Sequence, residues 1–338
     1  MPAKLNSVLN KLPNESEKFM SWLRSEYDYI MRHTGDLMLF MKNDKVKYRE
    51  SIWRNFNIIS HSDYTDIFVK PDKWFPGSTL NYAEHIFRQS QEDKAAIIYA
   101  PTDRESIEIT WQELRTQTTS FADYLQYLEI KPGDVVVGVT ENMPEQIMAF
   151  LACNAIGAVW ANLSPNTSEK DLINAFQQLE PKLLIANESY YEGGKQISNT
   201  LKINKLATEL PLIKEVIVLP SLPPLSDTDL IKNGKYWNAT FSMAAPDLSF
   251  EALPFNHPLF ITFKKENSNL PNPIRHAQGE MLLNRLSELN IKQGISANDI
   301  VSPHHPIAAP LLIGATLALL GADEKHPDFK NLGVKKAK

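Results

Sequence analysis

His257-Pro-Leu-Phe-Ile-Thr-Phe-Lys-Lys-Glu-Asn-Ser-Asn-Leu-Pro-Asn-Pro-Ile-Arg-His-Ala-Gln-Gly279 is the stretch on which the reading of this chain turns. Leu259 to Phe263 is a short apolar run of the kind that forms a buried strand, a polar turn follows, and a helical pattern starts at about Ala277. Strand, turn and helix in that order is the layout of a phosphate-gripping loop. Such loops use glycines to bring backbone N–H groups up to the phosphates, and hydroxyls and a lysine to hold them. The turn itself, Lys264-Lys265-Glu266-Asn267-Ser268-Asn269, contains no glycine. Two readings stay open: a solvated polar hairpin between strand and helix, or a new anion site built on Lys264 and Lys265. A carboxylate at Glu266 weighs against a triphosphate, because like charges at close range repel.

Upstream the pattern is strand and helix in alternation. Short apolar runs at Ala95–Tyr99, Ile107–Thr110, Val135–Val139, Ala158–Ala161, Lys182–Ala186 and Glu215–Leu219 are separated by helical stretches. Thr110 with Glu113 forms a capping box, Pro144 starts a helix after Asn142, and Ser168 with Asp171 opens another. Strands joined by helical crossovers imply an α/β fold with a doubly wound, mostly parallel sheet. Before it, Asn14 is placed to cap a helix through about His33, striped by Phe19, Trp22, Leu23, Tyr27, Ile30 and Met31. A second helix covers Lys45–Asn55. In Trp74-Phe-Pro-Gly-Ser-Thr-Leu-Asn-Tyr-Ala-Glu84, Pro76-Gly77 turns the chain and Ser78 caps a helix; the segment reads as a strap packed on the domain. Residues 220–256 are rich in Pro, Ser and Asp and read as an irregular crossing, with Trp237 and Phe241 pinned to the surface. The expected division is a helical extension at 1–73, an α/β unit at 74–256, and a partial second α/β unit with a charged tail at 257–338.

Composition excludes several classes. The 338 residues are 43% hydrophobic and 22% charged, as in ordinary globular proteins. A formal charge of -5, from 35 basic and 40 acidic residues, argues against a nucleic-acid partner. The longest apolar runs, Ile147–Leu163 and Pro306–Leu320, fall short of the roughly 20 residues a membrane helix needs, and the expectation is a cytoplasmic protein. The lone cysteine, Cys153, lies in an apolar helical run, which suits a buried, inert thiol and a reducing compartment. His304 and His305 are adjacent, so in extended chain they point to opposite faces, and no metal site is expected.

The flanks of the opening stretch carry a resemblance. His257-Pro258-Leu259, Leu270-Pro271 and His276 resemble the HPL…SSGTTGLPK…HG segment of the adenylate-forming acyl-CoA synthetases. Aligned on these anchors, Lys264 and Lys265 stand at the two serines, Glu266 at the first glycine, Asn267 and Ser268 at the threonines, Asn269 at the second glycine and Asn272 at the lysine. Only Ser268 keeps a hydroxyl. Trp74 to Glu84, Ile109-Thr-Trp-Gln-Glu-Leu-Arg115, Lys131-Pro-Gly-Asp134 and Gly157-Ala-Val-Trp160 with Ser164-Pro165 are similar to segments of the acetoacetyl-CoA synthetases, from about Asn14 to Gly321.

The resemblance implies the N-terminal domain type of that family and, in intact members, acid–thiol ligation with ATP, magnesium and coenzyme A. Tyr190 to Ile197 is similar to the segment in which the family contacts coenzyme A, which makes Gly193, Gly194 and Lys195 a residual contact; a solvated loop before a helix is the other reading. The family's aromatic TTTGWMMWN stretch is shortened here to Ile300-Val-Ser-Pro-His-His-Pro-Ile-Ala-Ala-Pro310. The family's adenine-binding strand, ribose-gripping carboxylate, hinge and mobile C-terminal domain follow the point where this chain ends. These substitutions lead to two expectations: a truncated relative that does not adenylate alone, with no catalytic residues to assign, or a ligase completed by a second chain. A chain ending partway through a second sheet should leave Leu311, Leu312, Ile313, Leu317 and Leu319 open, and hence a homodimer or protein partner at that face.

Overall fold

Runs such as Val135-Val-Val-Gly-Val139, with no polar alternation, require burial on both faces, and the fold supplies it. The computed structural model describes residues 13–101, 105–219, 231–241, 247–265, 271–302, 308–320 and 333–336.

The extension contains α1 (Asn14–Tyr27), α2 (Thr34–Asn43) and α3 (Lys45–Asn55). Asn14 is not the cap of α1: Pro13 holds that position without a side-chain bond, and the helix ends six residues before His33 because Asp28 turns left-handed at φ 53°. Helix α2 was not expected, and its N-terminus is closed by His33, whose side chain accepts from the Asp36 amide. The extension is fastened to the far end of the chain. Arg49 forms a two-pronged ion pair with Glu280 at 2.5 and 2.9 Å and lies over the Trp74 ring at 4.2 Å, and Ser16 donates to the Ile291 carbonyl.

The strap then enters α4 (Tyr82–Phe87), capped by Asn81 rather than Ser78. Asn81 Oδ1 accepts from the Ala83 and Glu84 amides, while its Nδ2 reaches the carbonyls of Asn154, Ala155 and Glu251. Next come β1 (Ala95–Ala100), β2 (Ile107–Thr110), α5 (Trp111–Tyr127), β3 (Val135–Val139), α6 (Pro144–Ala155), β4 (Val159–Leu163), α7 (Glu169–Phe176), β5 (Leu183–Asn187), β6 (Ser189–Glu192), β7 (Lys195–Ser198), α8 (Thr200–Glu209), β8 (Glu215–Leu219) and β9 (Gly234–Tyr236). The expected capping box at Thr110 and cap at Ser168 are both present. The irregular crossing contains a strand after all: β9 runs parallel to β8, and Trp237 is buried against Phe121 at 4.4 Å rather than lying on the surface.

The last elements are β10 (Pro258–Lys265), β11 (Pro271–Ala277), α9 (Gln278–Arg285), a π-helical turn over Leu286–Lys292, β12 (Ile300–Ser302), β13 (Thr316–Leu320) and β14 (Lys335–Lys336). A seven-stranded sheet has the order β9-β8-β5-β3-β4-β10-β11, parallel except for its last pair. Helices α5 and α6 cover one face and α7 and α8 the other. A five-stranded sheet has the order β14-β12-β13-β1-β2.

The sheets do not follow the sequence boundary at 256/257. The hairpin β10–β11 finishes the first sheet, while β1 and β2 belong to the second, where β1 pairs with β13. The opening stretch is therefore strand, hairpin, strand and helix, not strand, turn and helix.

The face expected to be open is closed. Leu311, Leu312, Leu317 and Leu319 are buried, with Ile313 partly so, because β13 lies between β12 and β1 and the preceding turn packs on α4, α9 and the π-helical turn. Among the described residues no helix is long and apolar enough to cross a membrane. His304 and His305 lie outside the described residues.

Candidate functional site

In an open parallel sheet the ligand crevice lies beyond the carboxyl ends of the strands, where successive helices leave to opposite faces. Here α6 departs from β3 over one face and α7 from β4 over the other, so the switch falls at the β3–β4–β5 edge. That edge is stitched by asparagines. Asn162 Oδ1 accepts from both the amide and the hydroxyl of Thr140 at 3.2 and 3.0 Å. Asn187 Oδ1 accepts from the Glu141 amide at 2.8 Å, and Asn187 Nδ2 reaches Met143 Sδ at 3.1 Å. An amide side chain supplies both a donor and an acceptor to backbone groups that run past the ladder. Gly138 makes room: a Cβ there would sit 2.3 Å from Asn162 Oδ1 and 2.7 Å from the Trp160 ring. Sequence reasoning passed over both asparagines, since Asn at a strand end looks like any turn residue.

The two sequence-selected groups lie on this same edge, on either side of it. Gly193 and Gly194 are the turn of the β6–β7 hairpin, with Glu192 opposite Lys195 and φ values of 59° and 77°. Two consecutive positive φ angles define the turn that matches strand twist, and glycine is the residue that adopts them without strain. A Cβ at either position would meet nothing within 4 Å, so backbone conformation alone accounts for both glycines, and Lys195 is exposed. The segment is thus a hairpin rather than a loop before a helix.

On the other side, the β10–β11 ladder runs to Lys264 opposite Asn272 and Lys265 opposite Pro271. Lys264 and Asn272 are exposed cross-strand neighbours. Glu266, Asn267, Ser268 and Asn269 lie outside the described residues. With β3 and β4 between them, β5 and β10 are three strand spacings apart, roughly 14 Å.

The flanking histidines are occupied. His257 Nε2 meets the Gly157 carbonyl at 2.8 Å, tying β10 to the α6–β4 turn. His276 Nε2 meets Thr262 Oγ1 at 2.8 Å, and its ring stacks on Phe260 at 4.5 Å. Burial lowers the pKa of both, and the Arg285 cation lowers His276 further, so both rings are neutral at physiological pH. Cys153 is fully buried and its thiol is pushed up by desolvation, which leaves it inert.

Residues 84–263 match the AMP-binding enzyme family, and the match ends one residue before Lys264. Acetoacetyl-CoA synthetase of Rattus norvegicus is 33% identical over 305 residues, which is 86% of this chain and 45% of the relative. The Macaca fascicularis enzyme of the same name is 29% identical over 308 residues, with the same two coverages. Acetoacetyl-coenzyme A synthetase of Rhizobium meliloti is 27% identical over 330 residues, 92% of this chain and 50% of the relative. The solved acetoacetyl-CoA synthetase from Streptomyces lividans superposes with a TM-score of 0.87 at 26% identity, covering 95% of this chain and 51% of that one. The chain spans about half the length of the curated relatives it matches.

Proposed function

Because the chain belongs to the AMP-binding enzyme family and is acetoacetyl-CoA synthetase-like over most of its length, we propose that it is a relative that does not form acyl adenylates by itself and works through binding. The observation that carries this reading is the β10–β11 hairpin. Pro273 has no N–H, so the ladder's bonded pairs are Phe260–His276, Thr262–Ile274 and Lys264–Asn272, and the Lys264 amide is committed to Asn272. A triphosphate grip needs free amides, small residues and a lysine. This hairpin offers a paired amide, no glycine between Lys264 and Asn272, and Asn at the position where the family has lysine. Removing one donor aimed at developing charge already costs about 10²–10³ in rate. Gly193 and Gly194, explained by their turn, leave the exposed Lys195 as a weak basis for coenzyme A affinity. A lone, buried, inert cysteine suits a cytoplasmic setting.

The test is acetoacetate-dependent ATP–pyrophosphate exchange by the purified chain. No exchange above the enzyme-free control is expected, and exchange by the chain alone overturns the proposal. Exchange only after adding the C-terminal half of an intact synthetase would instead favour a split ligase. Millimolar MgATP should likewise give no thermal shift, whereas nucleotide bound at about 100 times Kd would add roughly 2.7 kcal/mol.

A further inference from the structure

Five large apolar side chains among the described residues are more than half exposed, and three of them fall between residues 30 and 39: Ile30 at 71%, Met38 at 63% and Leu39 at 57%. Helical spacing explains how α2 comes to carry two of them. Leu37 and Phe40 turn into the core with Met41 beside them, so the opposite side of the helix presents Gly35, Met38, Leu39 and Lys42. The Tyr29 ring packs on Phe40 at 5.0 Å, which holds the connection carrying Ile30 against this helix. Arg32, Lys42 and Lys45 are exposed around the patch, and Lys47 lies over the Tyr29 ring at 5.9 Å. The two carboxylates between residues 30 and 47 are engaged elsewhere. Asp36 accepts from the Arg32 amide at 2.8 Å, and Asp44 accepts from the Lys47 amide at 3.1 Å. Asp44 also pairs with the Lys47 ammonium at 3.7 Å, and among the described residues no ion pair holds Lys42 or Lys45.

We propose that this patch docks on an anionic lipid surface, with Ile30, Met38 and Leu39 entering the headgroup layer and Arg32, Lys42 and Lys45 meeting lipid phosphates. An apolar strip ringed by cations, on a helix too short to span a bilayer, has the chemistry of a segment that lies in the interface plane. The cations complement the negative charge of such a surface. Lys42 falls between Met38 and Leu39 around the helix, where a lysine stem can cover apolar surface while its ammonium stays among headgroups. A second copy of this chain fits less well. A stable interface takes about 20–30 residues from each side, and pairing two such patches sets the cations of one against those of the other. Binding is reversible and depends on lipid charge, because only three side chains insert. The patch lies on the extension and uses no residue of either hairpin, so it stands whether or not the chain forms adenylates.

The test is co-sedimentation of the full chain with phosphatidylcholine vesicles, prepared with and without phosphatidylserine. Saturable binding confined to the phosphatidylserine vesicles is expected. It should weaken several-fold as salt rises from about 0.1 to about 1 M, where the Debye length falls from about 10 to about 3 Å. Met38→Gln with Leu39→Gln should bind at least tenfold more weakly, and so should Lys42→Glu with Lys45→Glu. All four positions are exposed, so both variants should keep the parent's urea midpoint. Lys131→Glu with Lys170→Glu changes the net charge equally at exposed sites outside the patch and should bind like the parent. No binding to phosphatidylserine vesicles overturns the proposal. So does equal weakening by the two charge-reversed pairs, which would make the attraction a property of net charge alone, or unchanged binding in Met38→Gln with Leu39→Gln. A parent that is dimeric by light scattering, becomes monomeric in that last variant and ignores vesicles would give the patch to a second copy and overturn it as well.

Discussion

Two hairpins stand on the same sheet edge about three strands apart, and they differ in what their turns contain. The β6–β7 hairpin has two glycines in its turn, and both are demanded by φ angles that other residues adopt only with strain. The β10–β11 hairpin has none in its turn, and its arms pair residue for residue from Phe260–His276 to Lys265–Pro271 without them. Glycine needed by the backbone is held in place by folding itself. Glycine needed only by a ligand has no such protection. Between the hairpins, Gly138, Asn162 and Asn187 belong to the first kind, since packing and strand-end hydrogen bonds depend on them.

The largest effect should come from that intervening edge. Gly138→Ala places a methyl group within 2.3 Å of Asn162 Oδ1 and 2.7 Å of Trp160, and should cost about 3 kcal/mol in urea unfolding. A loss below about 1 kcal/mol would mean that the edge yields easily and the contrast with β10–β11 is weaker than drawn. Gly194→Val in the first hairpin, at φ 77°, should cost about 1–2 kcal/mol by the same measurement.

Acid sensitivity gives a third check on the side of the contrast held by packing, through the strap. His85 is fully buried, accepts from the Ile59 amide through Nε2, meets the Asn81 carbonyl through Nδ1, and has a pKa lowered to about 3, chiefly by desolvation. A folded pKa below the unfolded value of about 6.5 means that the unfolded chain takes up the proton first. Stability should therefore be unaffected by this group above about pH 6.5 and fall below it by up to about 1.4 kcal/mol per pH unit, levelling off near pH 3. The difference in urea midpoint between the parent and His85→Gln from pH 6.5 to 5 separates this group from His257 and His276, whose pKa values are also lowered, and a difference that does not change with pH would show that His85 takes up protons in the folded state. The smallest effect belongs to the second hairpin. Lys264→Ser combined with Asn272→Lys alters two exposed positions and should change stability by less than about 0.5 kcal/mol, again by urea unfolding.

Much of the fold was legible because it rests on local signals. The uninterrupted runs Val135–Val139 and Glu215–Leu219, the capping box at Thr110 and the cap at Ser168 each specify their element without reference to the rest of the chain. Helix α2 was missed because Met38 and Leu39 are exposed beside the buried Leu37 and Phe40, which blurs the stripe. Strand β11 was missed because Pro271, Pro273 and Arg275 argue against a strand anywhere but an edge. No periodicity could reveal that β1 pairs with β13, more than two hundred residues later. At the candidate site, the family resemblance gave the hairpin's altered residues. It could not give the facing of Lys264 and Asn272, the asparagine stitches, or the reason for Gly193 and Gly194, which all depend on register and φ.

The prolines of β11 have an effect beyond the hairpin. Asn272, Ile274 and His276 turn their backbone groups towards β10, so Pro271, Pro273 and Arg275 present theirs to the outer rim of the seven-stranded sheet. Two of those three positions have no N–H to offer, and the third carries a charged side chain. A neighbouring strand would find one amide donor where an unmodified rim of that length offers three. The rim is thereby shielded from strand addition by another chain, which keeps unfolded or misfolded copies from growing the sheet at that side.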